Sequence, residues 1–400
     1  MKILLADKLH SQAVEALKAI PGVEVDNRPS LGADDLPGAL PGVEILVVRS
    51  TKVTPAAIEK ADRLGLIIRA GSGYNTIDVE GASAKGIYVA NCPGCNSVAV
   101  AELAVGLMLS LDRNIPDNVA DLRQGKWNKG KYGKAQGFKG RTVGLVGTGA
   151  IGKETIDRLK PFGVRLMAWS RSLTPDKAKS MGIEYCATPL DVARHADVVS
   201  LHVALSADTR GMIGKDFLDA MKPGAFLINT CRAEVVDQAA LLEAMNSKGI
   251  RVGTDVFDQE PGGKDGAFAS PLGHHPNCYG THHIGASTDQ AELDTGMEAA
   301  RIVKAFVSGH PIPNCVNLRR PPSSGYALVV RHQDRVGVLA GVLGVLKQNG
   351  TNVQEMENLV FSGAKAASVR ILVEEPVSDE AVQAISQCDG VLHVRASSLS

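Results

Sequence analysis

The sequence predicts an α/β protein with two doubly wound parallel-sheet domains and a smaller third domain. Three observations carry this prediction. Short apolar runs alternate with helical patterns over residues 2–91, a second such series begins at Thr142, and the order of strands and helices changes beyond Tyr326. The 400-residue length also exceeds what one hydrophobic core usually serves.

The first series indicates a parallel sheet covered on both faces, because its strands are continuous apolar runs. The predicted strands are Lys2–Ala6, Ile45–Arg49, Leu66–Ala70 and Ile87–Asn91, with helices such as Ser11–Ala19 and Pro55–Ala61 between them. A long helical pattern follows at Val98–Leu111.

The second series has the same alternation and is typical of a doubly wound sheet. Its predicted strands are Thr142–Val146, Arg165–Ser170, Val198–Val203, Ala225–Asn229 and Gly249–Val256. One helix begins at Ala150, and the helix Asp289–Val307 closes this part of the chain.

A glycine motif joins the first strand of the second series to its helix. The strand runs directly into Gly147-Thr148-Gly149-Ala150-Ile151-Gly152, a G-x-G-x-x-G pattern between strand and helix. Gly147 permits a tight turn, Gly149 lets a pyrophosphate approach the backbone, and Gly152 allows close packing. The motif predicts a Rossmann domain that binds a dinucleotide at a helix N-terminus, with Ala150 and Ile151 in the first turn.

The end of the next strand bears on the choice between NAD and NADP. It reads Trp169-Ser170-Arg171-Ser172 and lacks the carboxylate that usually binds the ribose hydroxyls of NAD. A guanidinium with two hydroxyls suits a 2′-phosphate, so the local chemistry favours NADP. The alternative is plain NAD, with Arg171 stacked over the adenine and Ser170 bonded to the ribose.

The C-terminal part is predicted to be a separate ferredoxin-like βαββαβ domain. A segment rich in proline and serine, Pro311–Gly325, precedes it and is typical of a linker. The predicted strands are Tyr326–His332, Val353–Val360, Ala367–Val373 and Val391–Ala396, and the helices are Val336–Gln348 and Ser378–Ser386.

Composition and charge exclude several classes of function. Lys plus Arg and Asp plus Glu each total 43, so no global positive field would hold nucleic acid or an anionic membrane. The longest apolar stretch, Val98–Leu111, carries Glu102 and is too short to span a bilayer. Seven cysteines indicate free thiols in a reducing cytoplasm. His274-His275 lacks suitably spaced partners, so no metal site is predicted.

Three polar segments each follow a strand of the second series, where ligands collect in open α/β sheets. They contain Arg232, Glu260 and His283. Oxidation of a hydroxy acid needs a bidentate cation for the carboxylate, a base for the hydroxyl proton, and a carboxylate partner for that base. These three side chains are therefore the predicted catalytic residues.

Together the motifs resemble those of the D-isomer-specific 2-hydroxyacid dehydrogenases and, within that family, the D-3-phosphoglycerate dehydrogenases. The likeness runs from Val47-Val48-Arg49-Ser50 to Gly285-Ala286-Ser287-Thr288. It implies that Arg232 binds the substrate carboxylate, that His283 is the general acid/base, and that Glu260 orients it.

The resemblance also implies further cofactor contacts. Asp255 is expected to hold the nicotinamide carboxamide, and His202 and Cys231 to lie against the cofactor. Two positions depart from the family pattern: His282 stands where Pro usually precedes the catalytic histidine, and Ala233 where Gly usually follows the arginine.

The domain organisation expected from this family is discontinuous. Residues 1–95 and 285–315 would form a split substrate-binding domain, and residues 96–284 an inserted Rossmann domain. Residues 316–325 would be the linker and residues 326–400 an ACT regulatory domain.

Several positions match the family's substrate contacts. Arg49, Ser50 and Lys52 resemble a phosphate-contacting segment, and the surplus of cations suits a phosphorylated three-carbon acid. Ser72 and Gly73 lie in the loop that presents N–H groups to the carboxylate. Asn96 matches an asparagine facing the substrate, and Arg113 an arginine that reaches a partner subunit's site, so a homodimer or homotetramer is expected.

The expected function is oxidation of D-3-phosphoglycerate to 3-phosphohydroxypyruvate, or the reverse, in serine biosynthesis. One alternative is an NADPH-dependent hydroxypyruvate or glyoxylate reductase. Another, from a different class, is a non-catalytic dinucleotide-sensing corepressor like the C-terminal-binding proteins. Turnover at rates typical of enzymes separates the last of these from the others.

Residues 326–400 resemble an ACT domain, in which paired modules bind an amino-acid effector. His332, Asp334 and Asn352 match the effector-binding positions, although Asp334 stands where asparagine is common. The alternative is a purely dimerising domain, because the helix that follows has a strongly apolar face.

Overall fold

The structure is a computed structural model that describes residues 1–261, 266–319 and 325–399. The chain forms two compact units, Met1–Asn317 and Leu318–Ser400. The first unit contains two parallel sheets, and the second contains one antiparallel sheet.

Five strands near the N-terminus form the first sheet. They are β1 (Lys2–Leu5), β2 (Glu24–Asn27), β3 (Ile45–Val48), β4 (Leu66–Arg69) and β5 (Tyr88–Asn91). All pair in parallel, in the order β2-β1-β3-β4-β5. The helices between them are α1 (Ser11–Lys18), α2 (Leu36–Ala39), α3 (Pro55–Lys60) and α4 (Val79–Ala84).

Three helices then lead from the first sheet to the second. They are α5 (Ser97–Arg113), α6 (Ile115–Arg123) and α7 (Lys129–Tyr132). The left-handed residue Asn114 (φ 51°) ends α5 and begins α6, so the two helices are separated by a single residue.

Seven strands form the second sheet. They are β6 (Thr142–Val146), β7 (Arg165–Trp169), β8 (Glu184–Tyr185), β9 (Val198–Leu201), β10 (Phe226–Asn229), β11 (Arg251–Thr254) and β12 (Cys278–Gly280). The helices are α8 (Ala150–Leu159), α9 (Pro175–Met181), α10 (Pro189–His195), α11 (Lys215–Ala220), α12 (Gln238–Lys248) and α13 (Asp289–Val307), with short 3-10 turns at Lys160–Phe162 and Ala233–Val235.

The strand order of the second sheet is β12-β11-β10-β9-β6-β7-β8, all parallel. The chain builds outward from β6 through β7 and β8, then returns to β9 on the other side of β6. The crevice beyond the carboxyl ends of β6 and β9 is therefore the topological switch point, where such sheets bind ligands.

The first sheet is covered on both faces, as its apolar strands predict. Ile3 and Leu5 of β1 point to one face and pack with residues of α1 and α13, whereas Leu4 between them packs on the other face with residues of α2 and α3. The chain thus returns to the first sheet through α13 after the second sheet is complete.

The second unit has the βαββαβ order. Its elements are β13 (Gly325–Gln333), α14 (Val338–Gln348), β14 (Val353–Val360), β15 (Ala366–Val373), α15 (Asp379–Ser386) and β16 (Val391–Leu399). The strands pair in the antiparallel order β14-β15-β13-β16, and both helices pack on one face over Leu328, Val330 and Ile371. The predicted fold class, two parallel sheets followed by a ferredoxin-like module, is confirmed.

The strands that the sequence did not predict are short edge strands. β2, β8 and β12 each lie at an edge of their sheet and contain polar residues such as Glu24, Asp26 and Glu184. An edge strand lacks the continuous apolar run of a strand buried on both faces.

The division of the first unit into two domains remains a prediction. Of the predicted linker 316–325, residues 320–324 lie outside the described residues, and Asn317 belongs to the first unit, where its Oδ1 accepts the Val89 N–H at 2.9 Å. None of the described helices is long and apolar enough to cross a membrane.

Candidate active site

The loop after β6 has a shape that requires glycine at two positions. Gly147 has a φ of 107°, and a Cβ there would lie 2.3 Å from the carbonyl oxygen of His202. A Cβ on Gly152 would lie 2.3 Å from the carbonyl oxygen of Gly147. The first turn of α8 is thus held directly against the end of β6.

The N-terminus of α8 is open. Gly149 is its N-cap and offers no side chain to the unpaired N–H groups of the first turn, which contains Ala150 and Ile151. A Cβ on Gly149 would meet nothing within 4 Å. Unpaired N–H groups facing open space suit a phosphate, so these residues fit a dinucleotide.

Two buried polar atoms lie just beyond the carboxyl ends of neighbouring strands. His202 follows β9 and is buried, and burial lowers its pKa to about 4. Its Nε2 lies 2.9 Å from Ser200 Oγ. Within the described residues, neither Nδ1 of His202 nor Oγ1 of Thr230 has a hydrogen-bond partner. Such atoms call for a polar ligand, which a bound dinucleotide would supply.

The remaining cofactor positions are divided between surface and interior. Ser170 and Arg171 follow β7, and the exposed Arg171 side chain lies 3.5 Å from Asp208 Oδ2. Cys231 is buried after β10, where its Sγ donates to Asn229 Oδ1 at 3.0 Å. Burial raises the pKa of the Cys231 thiol to about 11, so the thiol is neutral at physiological pH.

His283 and Glu260 form a hydrogen-bonded pair, with Nδ1 of His283 2.7 Å from Oε2 of Glu260. The other carboxylate oxygen accepts the N–H of Phe257 at 2.9 Å. Burial would raise the pKa of Glu260, but these two hydrogen bonds and the charges of His283 and Arg232 outweigh it, so the pKa is lowered. Glu260 is therefore an anion that accepts the Nδ1 proton of His283.

The turn that carries His283 is anchored by Asp255. His283 has a φ of 52°, a left-handed conformation that costs free energy for a non-glycine residue. Oδ1 of the buried Asp255 accepts the Thr281 hydroxyl at 2.6 Å and the Ile284 N–H at 2.8 Å, and Oδ2 accepts the Gly285 N–H at 2.8 Å. The carboxylate thus bonds the chain on both sides of His283.

Arg232 lies against the loop predicted to bind the substrate carboxylate. A Cβ on Gly73 would be 2.4 Å from Nη2 of Arg232, so only glycine fits there with the arginine in place. Ser72 Oγ donates to Asn96 Oδ1 at 2.8 Å. The structure therefore brings Ser72, Gly73, Asn96 and Arg232 together at one site.

A second arginine, Arg69, belongs to this site and was missed by the sequence analysis. Burial and the charges of Arg232 and Arg49 lower the pKa of Arg69 to about 10. Within the described residues, its buried Nε has no hydrogen-bond partner. The available signal was a charged residue at the last position of an apolar strand, β4.

The predicted phosphate segment is only partly assembled. The N–H groups of Arg49, Ser50 and Thr51 all donate to Oδ2 of Asp7, and the Arg49 side chain pairs with Glu292. Lys52 and Arg113 are exposed, and no hydrogen bond or ion pair among the described residues joins them to the site.

The predicted effector residues lie in the second unit. His332 is buried, with Nδ1 2.8 Å from the Gln333 carbonyl oxygen and Nε2 3.1 Å from Asn358 Oδ1. Asp334 and Asn352 are exposed. Within the described part of the chain, no cluster of three or more His, Cys, Asp or Glu side chains is arranged to hold a metal ion.

Residues 105–285 match the family model described as "D-isomer specific 2-hydroxyacid dehydrogenase, NAD binding domain". The chain is 36% identical over 378 residues to a D-3-phosphoglycerate dehydrogenase of Methanocaldococcus jannaschii, covering 94% of this chain and 70% of that one. It is 38% identical over 301 residues to a hydroxypyruvate reductase of Thermotoga maritima, covering 74% of this chain and 95% of that one.

A solved structure of NAD⁺-bound 3-phosphoglycerate dehydrogenase from Entamoeba histolytica superposes with a TM-score of 0.66 at 25% identity, covering 79% of this chain and 98% of that one. The chain spans between 58% and 63% of the length of six other D-3-phosphoglycerate dehydrogenases that it matches.

Proposed function

Because this chain belongs to the D-isomer specific 2-hydroxyacid dehydrogenase family, we propose that it interconverts D-3-phosphoglycerate and 3-phosphohydroxypyruvate with a nicotinamide dinucleotide. The observation that carries this proposal is the His283–Glu260 pair at 2.7 Å, next to an arginine packed on Gly73. The proposed context is serine biosynthesis.

The proposed chemistry assigns one role to each catalytic side chain. A dinucleotide held by the Gly147–Gly152 turn and the N-terminus of α8 would supply the hydride-transfer chemistry at C2 of the hydroxy acid. Because Nδ1 of His283 donates to ionised Glu260, Nε2 is the nitrogen that takes the hydroxyl proton, and it returns that proton in the reverse reaction. Glu260 stabilises the imidazolium that forms, and Arg232 holds the substrate carboxylate by bidentate hydrogen bonds.

The proposed substrate is a phosphorylated acid because the site concentrates positive charge. Arg49, Arg69 and Arg232 are close enough for the charges of the other two to lower the pKa of Arg69. Like charges held together cost free energy unless an anion offsets them. A substrate with a carboxylate at one end and a phosphate at the other provides that anionic charge at two points.

The cofactor in the proposal is NAD, in line with the family model over residues 105–285. Use of NADP rests on Ser170-Arg171-Ser172 alone. Arg171 lies 3.5 Å from Asp208 Oδ2. To bind a 2′-phosphate, Arg171 would have to leave this carboxylate, which would itself repel the phosphate.

Hydroxypyruvate reduction is the second candidate function. Arg49 is already paired with Glu292 at 2.6 Å, so one of the three cations is offset within the protein itself. This observation favours a substrate that does not need Arg49. The Arg232, Glu260 and His283 roles are the same in both candidates.

The second unit is proposed to be an ACT module that binds an amino acid through Asp334, Asn352 and His332. Both ring nitrogens of His332 already lie within hydrogen-bonding distance of protein atoms, so an effector would first contact the exposed Asp334 and Asn352. Calorimetric titration of serine into the protein and its Asp334→Ala variant tests this proposal. A homo-oligomer in which Arg113 reaches the partner's site is proposed with it.

The experiment that tests the main proposal is a steady-state comparison of 3-phosphohydroxypyruvate with hydroxypyruvate, each with NADH and NADPH. A preference for the phosphorylated acid supports the main proposal, and a preference for hydroxypyruvate supports the second candidate. Absence of turnover with either acid would contradict both candidate functions, whereas turnover at rates typical of enzymes would exclude a purely dinucleotide-sensing role.

A further inference from the structure

The guanidinium group of Arg49 is held by an acid of the same chain. Its Nη1 lies 2.6 Å from Oε1 of Glu292, in the first turn of α13, and the two side chains are each 26% exposed. A short, charge-assisted hydrogen bond that is partly shielded from water is stronger than an ion pair on the open surface. An incoming anion must therefore compete with Glu292 for Arg49.

The backbone next to Arg49 offers no substitute. The N–H groups of Arg49, Ser50 and Thr51 donate to the same oxygen of Asp7, at 2.7, 3.0 and 2.9 Å. A phosphate near this loop thus meets side chains rather than backbone N–H groups. In this loop, Arg49 is the residue whose positive charge helps to lower the pKa of the buried Arg69.

We propose that Glu292 is a specificity-determining residue, whose carboxylate competes with the substrate's phosphate for Arg49 and so limits the preference for a phosphorylated keto acid. This inference rests on the proposed function, in which Arg49 binds that phosphate. An unphosphorylated three-carbon acid has no group to place at Arg49, so Glu292 affects its binding little. For a phosphorylated acid, the apparent Kd rises as the inverse of the fraction of Arg49 that Glu292 leaves free.

The test compares Glu292→Gln with the wild type and with Asp289→Asn as a matched control. Glu292→Gln keeps the shape of the side chain and removes its charge. Asp289 lies in the same first turn of α13, but its side chain is 93% exposed and lies 3.5 Å from His10 rather than near Arg49. The control therefore removes the same helix-terminal charge without touching the Arg49 pair.

The readout is the ratio of kcat/KM for 3-phosphohydroxypyruvate to that for hydroxypyruvate, both with NADH. In Glu292→Gln the ratio should rise about tenfold, as expected for release of one charge-assisted hydrogen bond, through KM for the phosphorylated acid. Glu292→Asp should give an intermediate ratio, and Asp289→Asn should leave the ratio unchanged. Inorganic phosphate should inhibit hydroxypyruvate reduction more strongly in Glu292→Gln than in the wild type.

An unchanged or lowered ratio in Glu292→Gln would overturn the inference. So would an equal rise when Glu292→Gln is made in an Arg49→Gln background, because Glu292 would then act without Arg49. The kcat/KM ratio of the wild type tests the proposed function. The change in that ratio from wild type to Glu292→Gln tests the role of Glu292. The two can therefore fail separately.

Discussion

Nδ1 of His283 lies 2.7 Å from Oε2 of Glu260, and the other oxygen of that carboxylate accepts the N–H of Phe257. The carboxylate is held from both sides, so it fixes which ring nitrogen of His283 carries a proton in the neutral form. A general base must have its second ring nitrogen available to the substrate. Because Glu260 bonds Nδ1, the nitrogen that faces the substrate is Nε2.

Glu260→Gln should reduce kcat by about a hundredfold, within the range for loss of support to a general acid/base. The amide can still accept the Nδ1 proton, but it does not stabilise the imidazolium. Because ketone reduction needs the protonated ring, the loss should appear in kcat for reduction of the keto acid. Asp258→Asn, which removes a nearby charge that is not bonded to His283, should keep most of the activity. Equal kcat values in Glu260→Gln and wild type would refute the assigned role.

Asp255→Asn should lower kcat by about tenfold or more, and it should raise the Kd for NADH by a smaller factor. The amide nitrogen would face an N–H donor, so the turn that holds His283 at a φ of 52° would lose an anchor. Thr281→Val, which removes one of the three hydrogen bonds, should cost only a few-fold in kcat. Fluorescence titration with NADH measures the Kd of the cofactor. If Asp255→Asn raises this Kd by the same factor as it lowers kcat, Asp255 would instead contact the cofactor.

Arg171→Ala should raise KM for NADPH by about fivefold or more and leave KM for NADH nearly unchanged. The exposed guanidinium is the cation that follows β7, and it can move from Asp208 to a 2′-phosphate. Lys179→Ala, which removes a charge from the exposed surface of α9 without a bond to this segment, serves as the control. If KM for NADPH does not change in Arg171→Ala, the sequence-based case for NADP is wrong.

His202→Gln should make the free energy of unfolding less dependent on pH between about pH 4 and 6.5. The folded-state pKa of about 4 lies below the ordinary value of 6.5, so between these pH values the unfolded chain binds a proton that the folded chain does not. Stability is therefore lost as pH falls from 6.5 to 4, by about 1.4 kcal/mol per pH unit from this group. Urea unfolding of the cofactor-free protein at several pH values measures that slope. The exposed His310→Gln is the control, and identical slopes in His202→Gln and wild type would contradict the assignment.

The parts of the site predicted from the sequence are those that follow from the order of elements along the chain. Gly147, Gly149 and Gly152 occur as one motif between a strand and a helix. Arg232 and Glu260 follow the predicted strands β10 and β11, and His283 follows the neighbouring edge strand β12, which the sequence did not predict. Parallel strands bring their carboxyl ends to the same edge of a sheet. Their proximity therefore follows from topology, without knowledge of packing.

The parts that were not predicted depend on contacts between elements far apart in the chain. Arg49 and Glu292 are 243 residues apart, and their pairing depends on how α13 packs across the first sheet. Sequence alone also does not indicate whether the Asp255 carboxylate faces a cofactor or the turn behind it. In the structure, both of its oxygens are bonded to that turn.

One assay can show whether the protein reduces a phosphorylated keto acid through Arg232, His283 and Glu260. Initial rates are measured with 3-phosphohydroxypyruvate and hydroxypyruvate, each with NADH and NADPH, for wild type and His283→Ala. We expect kcat/KM to be highest for 3-phosphohydroxypyruvate with NADH, by about tenfold or more over hydroxypyruvate, and His283→Ala to abolish this activity. A higher kcat/KM for hydroxypyruvate with NADPH, or turnover that survives in His283→Ala, would contradict this expectation.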